Sequence, residues 1–360
     1  MPNVSSPSLV QPLGVLRLES GADLEVEAAY EIYGRLSPAG DNAVLVCHAL
    51  TGSARAAGEQ GWWDPLIGPG AAIDTNRYAV ICSNILASCY GTTGPRSVDP
   101  ATGRSYGGRF PTVTVGDMVA VQHALIQKLG VRSLACVTGG SLGGLQVLEW
   151  AARYPEMARS IMPVATNLAH AAWTIAFNEC ARQAIRNDPG YLDGDYIHRG
   201  TTPHRGLALA RMIAMISYRS AQSFGERFGR QVTPPGEEDS GRFEVESYLH
   251  YQGGKLVERF DANAYMRITE AMDAYDVGGG VRGGAQAALA PFRGPALVMG
   301  IDSDILYPVW QQQEIVEVLK ANGNAVSYRE IHSEHGHDAF LMEWAQLDRH
   351  IREFMAALPA

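Results

Sequence analysis

Leu134-Ala-Cys-Val-Thr-Gly139-Gly140-Ser141-Leu142-Gly143-Gly144, continued by Leu145 to Arg153, decides the fold. An apolar run of strand type enters a glycine-packed turn and leaves as a helical segment, so the stretch reads as strand, tight turn and helix around a G-x-S-x-G motif. Such a turn strains the serine backbone and leaves its neighbours almost no room for side chains, hence the glycines. In return the serine hydroxyl stands clear of the sheet at a helix N-terminus, where free N–H groups and the helix dipole favour a developing oxyanion. The motif alone is common; a strand before it and a helix after it make it informative.

Outward from Ser141, short apolar runs recur at Ala43 to Cys47, Tyr78 to Ser83, Ile161 to Val164, Ala296 to Gly300 and Ala325 to Ile331, separated by helix-like segments and glycine-rich turns. That alternation predicts a mostly parallel sheet with helices on both faces, an α/β-hydrolase fold. Val15 to Glu19 and Leu24 to Tyr33 read as an antiparallel edge hairpin around Ser20-Gly21. Val115 to Leu129 reads as a helix opened by Thr114-x-x-Asp117 and closed by Gly130. Asp338 to Met355 reads as the terminal helix, with Phe340, Leu341, Trp344, Leu347, Ile351 and Phe354 on its core face. Between Leu168 and Ala288 the strand signal gives way to helix-like runs broken at Asn187-Asp188-Pro189-Gly190 and Pro234-Pro235-Gly236. The expected organisation is therefore a core over 1–167 and 289–360, interrupted by a helical lid over 168–288.

At 360 residues and 46% hydrophobic, the chain can bury one large core. A formal net charge of -9 argues against nucleic acid or an anionic membrane as partner. The opening MPNVSSPSLVQPLG has no basic, apolar leader character, and no apolar run approaches spanning length, so a soluble, cytoplasmic protein is expected. Five cysteines without a C-x-x-C pair, three of them (Cys47, Cys82, Cys136) inside strand-like runs, read as reduced, buried thiols.

A serine hydroxyl needs a base, and the base an orienting acid; in this fold they follow in the order serine, acid, histidine. Past the run Ala296 to Gly300 stand Asp302 and Asp304, of which Asp304 is preferred. Past the final run lies His332-Ser333-Glu334-His335-Gly336-His337-Asp338. His337, beside glycine at the mouth of the terminal helix, is preferred, with His335 its competitor. For the oxyanion, the backbone N–H of Leu50, in the loop directly after Ala43 to Cys47, pairs with that of Leu142. Arg211 is the one charged residue in the apolar run Leu207 to Ile216, so its guanidinium needs either an internal acid or a ligand carboxylate. Asp338 stands where a helix N-cap belongs.

The chain resembles the α/β-hydrolase-type homoserine O-acyltransferases of methionine biosynthesis that use acetyl-CoA. The resemblance runs over nearly the whole chain, through C-H-A-L-T-G (47–52), G-T-T-G-P (91–95), F-P-T-V-T-V-G-D-M-V (110–119), G-G-S-L-G-G (139–144), A-R-M-I-A-M-I-S-Y-R-S (210–220), R-F-D-A-N-A-Y (259–265), S-D-I-L-Y-P (303–308) and G-H-D-A-F-L (336–341). It implies Ser141 as nucleophile with Asp304 and His337, and Arg211 and Asp338 as a clamp for homoserine's carboxylate and ammonium, with Thr51 and Tyr218 lining the same site. It further implies a ping-pong acetyl transfer with acetyl-CoA as co-substrate and no bound cofactor or metal, and a homodimer through the lid helices. Leu142 stands where the family usually has methionine, a nearly volume-neutral change. Ala87-Ser88 replaces the glycine pair expected before Cys89-Tyr90-Gly91, a departure that changes how closely that loop can pack. Relatives that prefer succinyl-CoA place an arginine two positions after the triad acid; here that position is Leu306, which favours acetyl. Serine as acceptor, an esterase or thioesterase, and a binding module without catalysis are the rival readings.

Overall fold

The computed structural model describes residues 9–234, 236 and 240–358. Residues 1–8 of the opening stretch and Pro235 of the Pro234–Gly236 break lie outside the described residues. Eight strands form the main sheet: β1 (Leu9–Arg17), β2 (Asp23–Tyr33), β3 (Ala43–Cys47), β4 (Ala79–Ser83), β5 (Leu134–Gly140), β6 (Ile161–Val164), β7 (Ala296–Ile301) and β8 (Val326–Ile331). Their order is β1-β2-β4-β3-β5-β6-β7-β8. The β1–β2 and β2–β4 pairs are antiparallel and all the others parallel.

β3, β4 and β5 are buried along their whole length because both of their faces are covered. Ala43, Leu45 and Cys47 join one core with Met118, Leu125, Leu145 and Leu148, whereas Val44 and Val46 join a second with Leu347, Ile351 and Met355. The first face is covered by α1 (Val115–Lys128) and α2 (Leu142–Arg153). Each fully buried Val, Leu or Ile contributes roughly 1.5–3 kcal/mol. α1 opens with a complete capping box: Asp117 N–H donates to Thr114 Oγ1 at 3.0 Å, and Thr114 N–H donates to Asp117 Oδ2 at 2.9 Å. Cys47, Cys82 and Cys136 are buried free thiols.

Between β6 and β7 the chain builds α3 (Ala172–Arg186), α4 (His204–Tyr218), α5 (Ala221–Phe228), α6 (Glu244–Val257) and α7 (Ala262–Asp273). α3 packs on α4 and α7, and α4 on α6. Among the described residues no helix is long and apolar enough to cross a membrane. After β7 come α8 (Val309–Ala321), β8 and finally α9 (Trp344–Ala357).

Two boundaries differ from the sequence reading by more than two residues. β1 runs from Leu9 to Arg17 rather than from Val15 to Glu19; it is largely exposed, and a register break between Pro12 and Gly14, with Gly14 at φ 81°, erases the two-residue period. The terminal helix begins at Trp344, not Asp338. Gly336–Leu341 winds instead as a 3₁₀ turn, and Met342 and Glu343 N–H both return to the Ala339 carbonyl. The turn is held where it is by Phe340, which is buried against Gly140 and whose carbonyl accepts the Trp63 indole N–H at 3.0 Å. Asp338 therefore lies inside the turn and caps nothing.

Candidate active site

The elbow follows from the close approach of β3 to α2. A Cβ on Gly139 or Gly143 would run into the Cys47 carbonyl oxygen, so only glycine lets these segments meet. The bend falls on Ser141, at φ 59° and ψ −124°, a backbone conformation that side chains rarely adopt. Leu142 and Leu50 N–H make no hydrogen bond among the described residues, so both donors remain free for a ligand oxygen.

At the ends of β7 and β8 the two acids and the histidines sort into separate pairs. Asp304 Oδ2 meets His337 Nδ1 at 2.6 Å, and both side chains are buried. Asp304 Oδ1 accepts the backbone N–H groups of Leu306 at 2.8 Å and Tyr307 at 2.9 Å, which fixes the plane of the carboxylate. His337 Nε2, also buried, has no hydrogen-bond partner among the described residues. Asp302 turns to the surface and meets His332 Nδ1 at 3.0 Å. His335 N–H bonds Ser333 Oγ, and its ring faces the charges of Glu226 and Glu334.

A small pocket opens on Ser141, with Leu50, His170, Tyr218, Leu306 and Tyr307 among its walls and about 20 Å³ of space, room for about one water. Thr51, Arg211, His337 and Asp338 lie outside its wall. Tyr218 joins the two groups: its ring is 5.8 Å from that of His337 and 5.5 Å from the Arg211 guanidinium. Arg211 makes no ion pair among the described residues. Asp338 pairs with Arg219 Nε at 3.3 Å, a partner the sequence reading did not name. Burial pushes the Asp338 carboxyl upward, helped by Asp304 and opposed by Arg219, Arg211 and His337, so two guanidinium groups attend one half-buried carboxylate. The Thr51 carbonyl accepts from Arg259 Nη1 at 2.8 Å.

Sequence reading also missed a polar chain that begins in the pocket wall. The Tyr307 hydroxyl meets His170 Nε2 at 2.9 Å, His170 Nδ1 meets Asp273 Oδ1 at 3.1 Å, and Asp273 is bound by Asn178 at 2.7 Å and Arg182 at 2.6 Å. Burial raises the Tyr307 phenol's pKa, as do Tyr218 and Asp304, while a hydrogen bond from the Ser141 side chain works the other way. The Tyr307 ring lies 5.1 Å from that of His337. A second missed network ties the oxyanion loop to the elbow. Gln146 Nε2 donates to the carbonyls of His48 at 3.2 Å and Leu142 at 3.1 Å, and its Oε1 is held by Gln122 at 2.7 Å. Gln122 and Gln146, polar residues in otherwise apolar helical runs, were the only sequence signal for the second network.

Sheet order, elbow and buried carboxylate–imidazole pair define the class as an α/β-hydrolase-fold protein, and residues 42–343 match the family model described as alpha/beta hydrolase fold. A homoserine O-acetyltransferase of Symbiobacterium thermophilum is 52% identical, over 97% of this chain and 94% of that one. One from Moorella thermoacetica is 50% identical, over 95% and 94%. Among solved structures, homoserine O-acetyltransferase from Bacillus anthracis superposes with a TM-score of 0.90 at 30% identity, covering 98% of each chain. Esterase E22 does so with 0.88 at 28%, covering 97% of this chain and 99% of its own. The chain belongs to the homoserine O-acetyltransferase family and is an enzyme, an acyltransferase.

Proposed function

We propose that the enzyme moves an acetyl group from acetyl-CoA to the hydroxyl of L-homoserine through an acetyl-Ser141 intermediate, in methionine biosynthesis. Ser141 Oγ attacks the thioester carbon and His337 Nε2 takes its proton; the C–S bond breaks and the CoA thiol leaves with that proton. Asp304 holds the Nδ1–H tautomer that leaves Nε2 free to accept. Leu50 and Leu142 N–H receive the oxyanion. Homoserine's hydroxyl then gives its proton to His337 and attacks the acetyl carbon; the bond to Oγ breaks and Oγ takes that proton from His337, restoring the free enzyme. Arg211 takes the acceptor's carboxylate and Asp338 its ammonium, beside Tyr218 and Thr51. The observation that carries this reading is the 2.6 Å Asp304–His337 contact, with its free Nε2, on a sheet whose elbow presents Ser141.

The narrow pocket beside Ser141 supports acetyl over succinyl. Leu306 lies in its wall, and the nearby Arg182 is already bound by Asp273. The chemistry asks for no metal or bound cofactor. The helical segment 168–288 acts as the lid that keeps water from the intermediate, and its helices are the proposed homodimer contact in a cytoplasmic enzyme. Intact mass after mixing with acetyl-CoA alone should show one added acetyl group, absent in Ser141→Ala; no added mass on the unaltered enzyme overturns the proposal. The likeness to esterase E22 keeps one rival, hydrolysis. Release of acetate without O-acetylhomoserine when homoserine is present would establish it.

A further inference from the structure

His48 is a fully buried histidine that the mechanism above does not use. Its two ring nitrogens are both engaged, and their partners determine its tautomer. Ile85 N–H, which can only donate, lies 3.1 Å from Nε2, so Nε2 carries the lone pair. The proton is therefore on Nδ1, which donates to the Ala49 carbonyl at 2.8 Å. That carbonyl also accepts Gly52 N–H at 2.9 Å. Burial holds the imidazole's pKa down at about 4, against the pull of the Ala49 carbonyl, so the ring stays neutral at physiological pH and keeps this donor–acceptor arrangement.

The Ala49 carbonyl and the Leu50 N–H belong to the same peptide unit. In a planar trans peptide the two point in opposite directions, so pinning the oxygen aims the N–H. Were this peptide to flip, the loop would present a carbonyl oxygen to the oxyanion instead of a donor. We infer that His48 is a positioning residue for the oxyanion hole: through Nδ1–H it holds the 49–50 peptide so that Leu50 N–H faces the reacting carbonyl, while Ile85 N–H fixes the ring. Gln146 supports the arrangement from the other side by holding the His48 carbonyl next to that of Leu142.

This inference rests on the proposed role of Leu50 N–H, and its test separates the two. Asparagine and leucine share one branched side-chain shape with four heavy atoms, but only asparagine offers an N–H to the Ala49 carbonyl. Loss of one oxyanion donor costs on the order of 10²–10³ in kcat. His48→Leu should therefore lower the rate of Ser141 acetylation by about 10², leave KM for acetyl-CoA and homoserine within about threefold, and weaken a tetrahedral boronic-acid inhibitor in parallel with kcat. His48→Asn should recover at least about tenfold of that loss. If His48→Leu does not fold, His48→Ala takes its place in the comparison. Equal kcat for the donor and donor-less variants, or a loss confined to KM, overturns the role of His48 while Ser141 acetylation stands. Continued acetylation of Ser141→Ala would instead remove the reading beneath it.

Discussion

Asp304→Asn tests the mechanism at its tightest contact. The side chain has two oxygens with different duties: Oδ1 accepts Leu306 and Tyr307 N–H at 2.8 and 2.9 Å, and Oδ2 faces His337 Nδ1 at 2.6 Å. An asparagine can be placed in two ways. With its NH₂ toward the two backbone donors, it leaves both unpaired in a buried site, at about 1–3 kcal/mol each. With its oxygen toward them, the NH₂ faces Nδ1, and the imidazole must accept there and carry its proton on Nε2. The second placement is cheaper, and it leaves no lone pair for the Ser141 proton. The expected loss is about 10⁴ in the rate of Ser141 acetylation, or roughly 5.4 kcal/mol of transition-state stabilisation at 1.36 kcal/mol per tenfold. Single-turnover release of CoA thiol, with intact mass to confirm the acetyl group, measures it. Unfolding by urea should change little, because the backbone bonds survive. A variant acetylated within about tenfold of the unaltered enzyme would refute the reasoning.

Ser141→Gly should abolish acetylation yet raise stability by about 1–2 kcal/mol, since glycine relieves the strain at φ 59°, ψ −124°; urea unfolding checks it, and no gain would mean the elbow is unstrained. At Asp273, burial raises the carboxyl's pKa, but bonds from His170, Asn178 and Arg182 outweigh it and leave it below its ordinary value. A depressed folded pKa contributes stability above the unfolded value near 3.9, lost as pH falls through the folded one. Asp273→Asn should therefore cost about 3 kcal/mol at neutral pH, with the gap from the unaltered enzyme narrowing under acid, as urea midpoints across pH would show.

The features legible in the sequence are those dictated locally. Gly139 and Gly143 announce the elbow because one backbone oxygen, that of Cys47, forbids any Cβ there. Thr114 and Asp117 announce α1 because both halves of the cap lie three residues apart. The preference for Asp304 over Asp302 has its physical ground in the Leu306 and Tyr307 N–H pair, which turns one carboxylate inward. Asp338 misled because Asp-x-x-Leu before an apolar helical pattern looks like a cap, whereas the burial of Phe340 and the bond from Trp63 impose a 3₁₀ turn from elsewhere in the chain. The Tyr307–His170–Asp273 chain joins residues more than a hundred positions apart, so no local spacing could mark it.

The distribution of cover over the sheet also bears on how the polypeptide matures on the ribosome. α1 and α2 emerge soon after the strands they shield, but Val44, Val46, Val80 and Met162 on the opposite face wait for Leu347, Ile351 and Met355 of α9. Trp63, Leu66 and Ile73 cover part of that face early, but until α9 clears the exit tunnel the rest of it stays open to water, an invitation to chaperones or to aggregation. The imidazole at 337 is synthesised in the same late interval. The growing chain therefore displays its serine long before the base that would arm it.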